Sequence, residues 1–269
     1  HSKCYHHQKW GKVAQTYLKI GEWMCCRWAD QVIAVSQDLA EYAESTYNRK
    51  VTYIPNGISL PKERRKAEEI KKWGLEQENY ILSISRLVRH KGIHHLIEAF
   101  RQTDTNKKLV IVGGGANTED YVQELQELAQ DDPRIIFTGT QYGRILEELF
   151  SNAFMFVHPS ESEGLSVALL EAMAYELPIV TSNIPENREV IKDTGETFHN
   201  GDPRDLARVM QEMSRDKERR DTLAAAAKTR VEEQYSWDNN IKRIEGVYKR
   251  AISKDVAIRV KFIKFKKKV

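Results

Sequence analysis

The chain lacks a long apolar run, a large charge imbalance and a cysteine framework. No apolar segment approaches the ~20 residues of a membrane-spanning helix, so none is predicted. Only three of 269 residues are cysteine, Cys4 and the adjacent Cys25 and Cys26. This odd number without metal-ligand spacing predicts free thiols in a reducing compartment. The formal net charge of +3 is too small to indicate nucleic-acid binding, and no nucleic-acid motif is present.

The composition is that of a chain that can bury a core. It is 41% hydrophobic and 30% charged, which excludes an intrinsically disordered protein. The length allows two modest domains, or one domain and a fragment of another. No secretory signal is visible, although the chain begins at His1 and not at a methionine. These observations favour a cytoplasmic enzyme.

Apolar segments of strand length alternate with helical segments over most of the chain. Such alternation predicts a parallel sheet with helices on both faces. Strands are predicted near 80–85, 108–112, 134–138, 153–157, 178–182 and 196–199. They are followed by helices near 204–214, 216–234 and 237–252.

The first 58 residues predict a helix, a strand, a second helix and a second strand, over 9–29, 31–35, 37–47 and 51–54. This is about one βαβ unit, too small for a complete doubly wound domain. The charged stretch that follows, 59–75, is predicted to be a linker.

The segment 153–171 is the most informative one. An apolar strand ends at a Pro-Ser turn, after which Glu163 and Gly164 are predicted to open a helix that carries Glu171. A strand that leads into a helix N-terminus is a common ligand site in α/β sheets. Eight helical residues rise roughly 12 Å, whereas the paired carboxylates of a glycoside hydrolase lie roughly 5–9.5 Å apart. The two glutamates therefore suit the two ends of one extended polar ligand, although an ordinary core helix with solvated glutamates stays open.

A basic pair follows the strand near 80–85. Arg86 and Lys91 are predicted to lie at the strand's C-terminal end and at the start of the next helix. A guanidinium and an ammonium together suit a pyrophosphate. The alternative is a loop that merely carries basic residues.

Several motifs in order resemble one family. They are SRLVRHKG (85–92), LVIVGGG (109–115), IIFTG (135–139), HPSESEGLSVALLEAMA (158–174) with its Glu-x7-Glu spacing, LPIVTSNIPENREVI (177–191), GETFHNGDPRDLA (195–207) and YSW (235–237). Together they resemble the nucleotide-sugar-binding half of the family-4 retaining glycosyltransferases. The resemblance extends from about residue 50 to 250.

This resemblance implies an α/β chain of the GT-B fold, with two Rossmann-like domains that each contain a parallel sheet. It predicts that 1–58 is the C-terminal part of the acceptor-binding domain and that 76–235 is the nucleotide-sugar-binding domain. Residues 236–269 are predicted to form a helix that crosses back to the first domain, followed by a basic tail.

The resemblance also implies roles for individual residues. Arg86, Lys91 and Glu163 are the predicted catalytic residues: the two cations hold the donor's diphosphate and Glu163 contacts its sugar. The backbone N–H groups of Gly164, Leu165 and Ser166 are expected to meet the phosphates, and Glu171 is expected to bind the ribose hydroxyls. Gly113 and Gly114 are predicted to face the same crevice. The run Gly113 to Gly115 does not match the G-x-G-x-x-G motif of dinucleotide-binding proteins, because Thr118 stands where the third glycine belongs.

The function implied is sugar transfer with retention from a nucleotide sugar, a UDP- or GDP-sugar, to a glycan or lipid-linked acceptor in polysaccharide or glycoconjugate synthesis. Neither a metal nor a cofactor is expected. Nucleic acid is not expected as a partner. The basic tail, 254–269, is expected to attach the protein to an anionic membrane surface, with a solvated terminus as the alternative. A nucleotide-sugar 2-epimerase of the same fold and a non-catalytic sugar-nucleotide-binding module remain alternatives.

Five further sites carry expectations. His1 matches an acceptor-domain histidine of the family, although His1-Ser2 stands where the family often has His-Gly. The pairs His6-His7 and His94-His95 are expected on the surface, and His158 is expected to be structural. Glu176 stands where the family usually has a glycine that ends a helix. Because a non-glycine residue in a left-handed cap costs about 1 kcal/mol, the turn is expected to differ here from that of the family.

Overall fold

The computed structural model describes the backbone of residues 11–266 and the side chains of residues 11–253. The chain divides into two compact units. One is Ile58–Gln234, and the other combines the described residues before it with those after it.

The smaller unit contains one short parallel strand pair. Its elements are α1 (Lys12–Trp28), β1 (Ile33–Ala34), α2 (Gln37–Tyr47), β2 (Thr52–Tyr53) and α10 (Trp237–Lys266). The strands β1 and β2 pair in parallel, and the side chain of Ser36 caps α2 by accepting the N–H of Leu39 at 3.3 Å. Asn240 of α10 donates to the carbonyl of Pro55 at 2.9 Å. The last helix therefore contacts the segment that follows β2, and it runs to Lys266, well past the end predicted at 252.

The apolar face of α1 does not enter a core. The helical spacing of its apolar residues is confirmed, but Val13 is 87% exposed and Tyr17, Ile20 and Met24 are also exposed. Within the described chain, Cys26 is the buried residue of this helix. Cys25 and Cys26 are free, whereas Cys4 lies outside the described residues.

The larger unit is built on a six-stranded sheet in which all neighbouring strands are parallel. Its strands are β3 (Tyr80–Ile84), β4 (Lys108–Val112), β5 (Ile135–Gly139), β6 (Met155–His158), β7 (Ile179–Ser182) and β8 (Glu196–Phe198). Its helices are α3 (Ile93–Gln102), α4 (Glu119–Ala129), α5 (Gly143–Asn152), α6 (Val167–Ala174), α7 (Pro185–Ile191), α8 (Pro203–Arg215) and α9 (Lys217–Gln234). The predicted alternation of strands and helices is confirmed.

The central strands are buried on both faces, as expected for a parallel sheet covered by helices. Ile81 and Leu82 of β3 are fully buried, as are Met155 and Phe156 of β6. The strand order is β5-β4-β3-β6-β7-β8. The chain thus builds one half of the sheet outward from β3 and the other half outward from β6.

The segment predicted as a linker contains a 3-10 helix, Glu69–Trp73. Its Ile70 is fully buried. The buried carboxylate of Glu148 accepts the backbone N–H groups of Glu68 and Glu69 at 2.9 and 2.8 Å and the guanidinium of Arg144 at 3.1 Å. Burial would raise the pKa of Glu148, but these hydrogen bonds outweigh burial and lower the pKa. The segment is therefore tied to α5.

Glu176 ends α6 in the left-handed region, so the expectation that this turn differs from a glycine cap is wrong. Its φ is +57°, and the N–H groups of Glu176 and Leu177 donate to the carbonyls of Met173 and Ala172 at 2.9 and 3.1 Å. This is the Schellman arrangement, in which glycine is the usual residue. The Glu176 carboxylate also pairs with Lys228 at 3.2 Å, but both side chains are largely exposed, and such a pair contributes little.

We expect Glu176→Gly to raise the free energy of unfolding by about 1 kcal/mol relative to Glu176→Ala, because glycine has no Cβ to oppose the left-handed conformation. The alanine variant is the matched control, since both substitutions remove the pair with Lys228. Urea unfolding followed by circular dichroism measures the difference. Equal stability of the two variants would show that the cap is not strained.

Candidate functional site

The strand order reverses between β3 and β6. These neighbours pair in parallel, with Ile81 opposite Met155 and Leu82 opposite Phe156. After β3 the chain continues to β4 on one side of this pair, and after β6 it continues to β7 on the other side. In open α/β sheets, ligands bind beyond the carboxyl ends of the strands at this point of reversal. The segments that follow β3 and β6 here are 85–92 and 159–166, the two that carry the predicted site.

The two segments are pressed together at Gly92. Its φ is +66°, and a Cβ at this position would lie 2.1 Å from the carbonyl oxygen of Pro159. The carbonyl of His90 accepts the hydroxyl of Ser160 at 3.2 Å and the N–H of Glu161 at 2.8 Å. Any side chain at position 92 would therefore separate the two loops.

The predicted catalytic residues Lys91 and Glu163 form a buried ion pair. The Lys91 ammonium lies 2.5 Å from Oε1 of Glu163, and the two side chains are 12% and 8% exposed. His158, at the end of β6, places its Nε2 2.7 Å from the same oxygen and is 2% exposed. Glu163 thus lies between two basic groups from two different segments.

This arrangement determines the charge of Glu163. Burial would raise its pKa, but the hydrogen bond and charge of His158 and the charge of Lys91 outweigh burial and hold the pKa well below its usual range. Glu163 is therefore a carboxylate at neutral pH. It can accept further hydrogen bonds through its second oxygen.

Arg86 is exposed at the end of β3, and no hydrogen bond or ion pair engages its side chain within the described residues. It lies beside Gly113, which has a φ of +144° and whose added Cβ would lie 1.8 Å from the carbonyl oxygen of Ser85. The N–H of Gly113 donates to Gly139 at 3.0 Å, and the carbonyl of Gly114 accepts the N–H of Leu87 at 2.8 Å. These two glycines let β4 approach the Arg86 segment, and the N–H of Gly113 is already used.

The prediction that Glu163 and Gly164 open the helix is wrong. The helix α6 begins at Val167, and Ser166 is its N-cap, with an Oγ that accepts the N–H of Leu169 at 3.3 Å. Residues 163–166 form a turn before it, because the cap requires an extended Ser166 (ψ 113°). The backbone N–H groups of Gly164, Leu165 and Ser166 donate to no group in the described part of the chain, so they remain available for a ligand.

Glu171 lies on the second turn of α6 and lines a cleft of about 450 Å³. The wall of the cleft combines apolar and aromatic side chains, such as Leu146, Phe150 and Tyr175, with charged ones, Lys62, Glu63, Arg65 and Glu147. The rings of Phe150 and Tyr175 are stacked with centroids 5.2 Å apart. Burial raises the pKa of Glu171, and its carboxylate has no hydrogen-bond or ionic partner among the described residues. A ligand that brings hydroxyl donors and a planar ring would complement this cleft.

The contact of His158 with Glu163 was not predicted from the sequence; its position at the carboxyl end of a central strand was the available signal. That His158 is structural, and not catalytic, stays a prediction. The prediction that His94 and His95 lie on the surface without partners is wrong, because they are half-buried and contact Tyr121 and Glu161. His1, His6, His7 and the end of the basic tail lie outside the residues whose side chains are described.

Comparison with known proteins identifies relatives over most of the chain. The family model for glycosyl transferases group 1 matches residues 65–230, and that for glycosyltransferase family 4 matches residues 1–62. An uncharacterised glycosyltransferase of Methanocaldococcus jannaschii is 34% identical over 82% of this chain and 60% of its own length. The capsular polysaccharide biosynthesis glycosyltransferase CapM of Staphylococcus aureus is 27% identical over 82% of this chain and 61% of its own. The chain thus spans about 60% of the length of these two relatives.

A solved structure shares the fold. The Anabaena protein HepE, solved in complex with UDP-glucose, superposes with a TM-score of 0.79 at 22% identity, over 88% of this chain and 68% of its own. At that identity the similarity establishes the fold alone. The GT-B architecture predicted from the motifs is confirmed. No helix within the described residues is long and apolar enough to cross a membrane.

The two glutamates are expected to affect stability in opposite directions. A carboxyl whose pKa is lowered by folding stabilises the protein above its unfolded pKa, about 4.3 for Glu, and this stability is lost as the pH falls. Glu163→Gln should therefore lower the free energy of unfolding at pH 7 by about 3 kcal/mol, and less at pH 4.

Glu171→Gln is the matched control, because folding raises the pKa of Glu171 and its ionisation at pH 7 opposes folding. It should leave the stability at pH 7 unchanged or raise it. Urea unfolding at both pH values measures this. Equal destabilisation by the two substitutions would contradict the assignment.

Proposed function

Because this chain belongs to the glycosyl transferases group 1 family, we propose that it is a hexosyltransferase that transfers a sugar from a nucleotide-sugar donor to a glycan or lipid-linked acceptor. The observation that carries the proposal is the cluster of Lys91, Glu163 and His158 at the reversal of strand order. It joins a buried cation and a buried carboxylate to an unpaired Arg86 and to unused backbone N–H groups. A diphosphate and a sugar hydroxyl are the ligands that such a set complements.

The diphosphate would bind to the positive groups. Arg86 has no partner among the described residues to release, and the N–H groups of 164–166 add neutral donors beside a helix N-terminus. Lys91 has three N–H donors, so it can bind a phosphate oxygen while one donor remains on Glu163. Each charge-assisted contact contributes about 1.5–3 kcal/mol. Those charges lie where a leaving diphosphate becomes more negative, which is the geometry of electrostatic catalysis.

The nucleoside would occupy the Glu171 cleft. Glu171 has unused acceptor capacity, and two ribose hydroxyls would satisfy it. The raised pKa of Glu171 shows that this carboxylate is poorly solvated without a ligand, so hydrogen bonds from a ligand would be strengthened. A UDP- or GDP-sugar is the proposed donor class, as the family resemblance implies.

The transfer is proposed to retain the configuration of the sugar. The bond between the anomeric carbon and the diphosphate oxygen breaks, and its electron pair stays on the diphosphate. The acceptor oxygen bonds to the same face of the anomeric carbon and gives its proton to the departing phosphate oxygen. Glu163 would hold a donor hydroxyl, while His158 keeps Glu163 ionised and oriented. A cytoplasmic location and attachment to the inner face of a membrane through the basic tail stay predictions.

The diphosphate clamp predicts metal-independent binding. UDP or GDP titrated calorimetrically should bind equally well with and without added Mg²⁺, and Arg86→Met or Lys91→Met should weaken binding about 10- to 100-fold. Arg89→Met is the matched control, since Arg89 lies in the same segment but pairs with Glu124; the affinity of this variant for the diphosphate should be unchanged. A requirement for added Mg²⁺, or an equal loss of affinity in the control, would contradict the clamp.

Glu171 and Glu163 should bind different parts of the donor, the ribose and the sugar. Glu171→Gln should lower the affinity for the nucleoside diphosphate and for the intact nucleotide sugar alike, because both ligands contain the ribose. Glu163→Gln should lower only the affinity for the nucleotide sugar, since it leaves Lys91 free to bind the diphosphate. Calorimetric titration of both ligands into both variants tests this, and the same ratio of affinities in both variants would refute the division.

A further inference from the structure

A second cluster of ligating side chains lies beside the donor site. It consists of His94 and His95, on the first turn of α3, and Glu161, in the loop after β6. One ligand atom from each of the three residues lies within 4.8 Å of the others. Nε2 of His95 is 3.0 Å from the Glu161 carboxylate, and the two imidazole rings have centroids 3.9 Å apart. The proposed transfer reaction uses none of these side chains.

The cluster is preformed by contacts around it. The N–H of Glu161 donates to the carbonyl of His90 at 2.8 Å, which holds the loop against the start of α3. The hydroxyl of Tyr121, a buried residue of α4, lies 2.8 Å from Nδ1 of His94. Ligating histidines commonly donate their second ring N–H to such a partner, which fixes the tautomer and the ring orientation. This leaves Nε2 of His94 for a ligand.

One nitrogen of each imidazole faces the cluster. Nδ1 of His95 has no hydrogen-bond partner within the described residues. Nε2, the nitrogen beside the Glu161 carboxylate, is the atom of this ring that can bind the same ion as the carboxylate.

We propose that His94, His95 and Glu161 bind one divalent transition-metal ion of the Zn²⁺ class. Two imidazoles and one carboxylate form the protein part of a four-coordinate zinc site whose fourth position is open to water. Nitrogen ligands disfavour Mg²⁺ and Ca²⁺, which prefer oxygen. Ligand atoms about 2 Å from a tetrahedral ion lie a little over 3 Å apart. The 3.0 Å between Nε2 of His95 and the Glu161 carboxylate already fits this separation, and the ligand atom of His94 lies within 4.8 Å of both.

The ion would link the start of α3 to the loop after β6, two elements that adjoin the proposed donor site. Glu161 is two residues before Glu163, and His94 is three residues after Lys91. A bound ion would therefore fix the β6–α6 loop to the first turn of α3. Its role in this position is structural, since the diphosphate charges are met by Arg86 and Lys91.

The test is calorimetric titration of Zn²⁺ into the EDTA-treated and desalted chain. His1, Cys4, His6 and His7 are possible competing ligands, so the background is a variant with alanine at these four positions. We expect one Zn²⁺ per chain. His95→Ala and Glu161→Gln should each weaken binding at least 100-fold, and Tyr121→Phe about 10-fold.

His199→Ala and Cys25→Ser are the controls, an exposed histidine and an exposed thiol outside the cluster, and both should bind as the background does. The two ligand variants lie on different elements, so a loss shared by both, with unchanged circular dichroism, arises from the site. Absence of Zn²⁺ binding by the background variant would overturn the proposal. So would unchanged affinity in both His95→Ala and Glu161→Gln. No donor is needed, so the outcome is independent of the proposed sugar transfer.

Discussion

The pairing of β3 with β6 is the constraint on which the site depends. These strands lie 70 residues apart in the chain, and their parallel register places both carboxyl ends at one edge of the sheet. After these strands the chain continues toward opposite edges of the sheet, which leaves a crevice between the two connections. At the start of the connections the absence of a side chain at Gly92 allows the two loops to make contact. Without this contact Lys91 and Glu163 would be two isolated, poorly solvated charges. With it, each neutralises the other, and His158 adds a second hydrogen bond.

The sequence predicts the sheet well, because the short apolar runs leave little freedom in which segments become central strands. The Arg86–Lys91 and Glu163–Glu171 segments could be placed at one edge for the same reason. The start of α6 could not be predicted as accurately, since Glu163, Gly164 and Ser166 all suit a helix start. Only the hydrogen bond from the N–H of Leu169 to Oγ of Ser166 decides between them. The contact of His158 with Glu163 depends on loop geometry, which local sequence does not determine.

The exposure of the apolar face of α1 is another feature that the sequence pattern could not predict. Helical periodicity establishes that one face is apolar, but it contains no information about what covers that face. Glu161 with His94 and His95 is a similar case, because a loop residue and two residues of a distant helix have no spacing in sequence that indicates a site. At Glu176 the residue type was misleading: the absence of glycine predicted a different turn, yet the hydrogen bonds of the turn hold the backbone in the left-handed region.

The difference in exposure between Arg86 and Lys91 has a kinetic consequence. Arg86 is exposed and has no ion-pair partner in the described part of the chain, so its field extends into solvent and is screened by salt. It should accelerate the encounter with an anionic ligand at low ionic strength. Lys91 is buried against Glu163 and is screened much less, so it acts after the encounter, on the lifetime of the complex. Ionic strength should therefore change the association rate of a nucleoside diphosphate more than its dissociation rate.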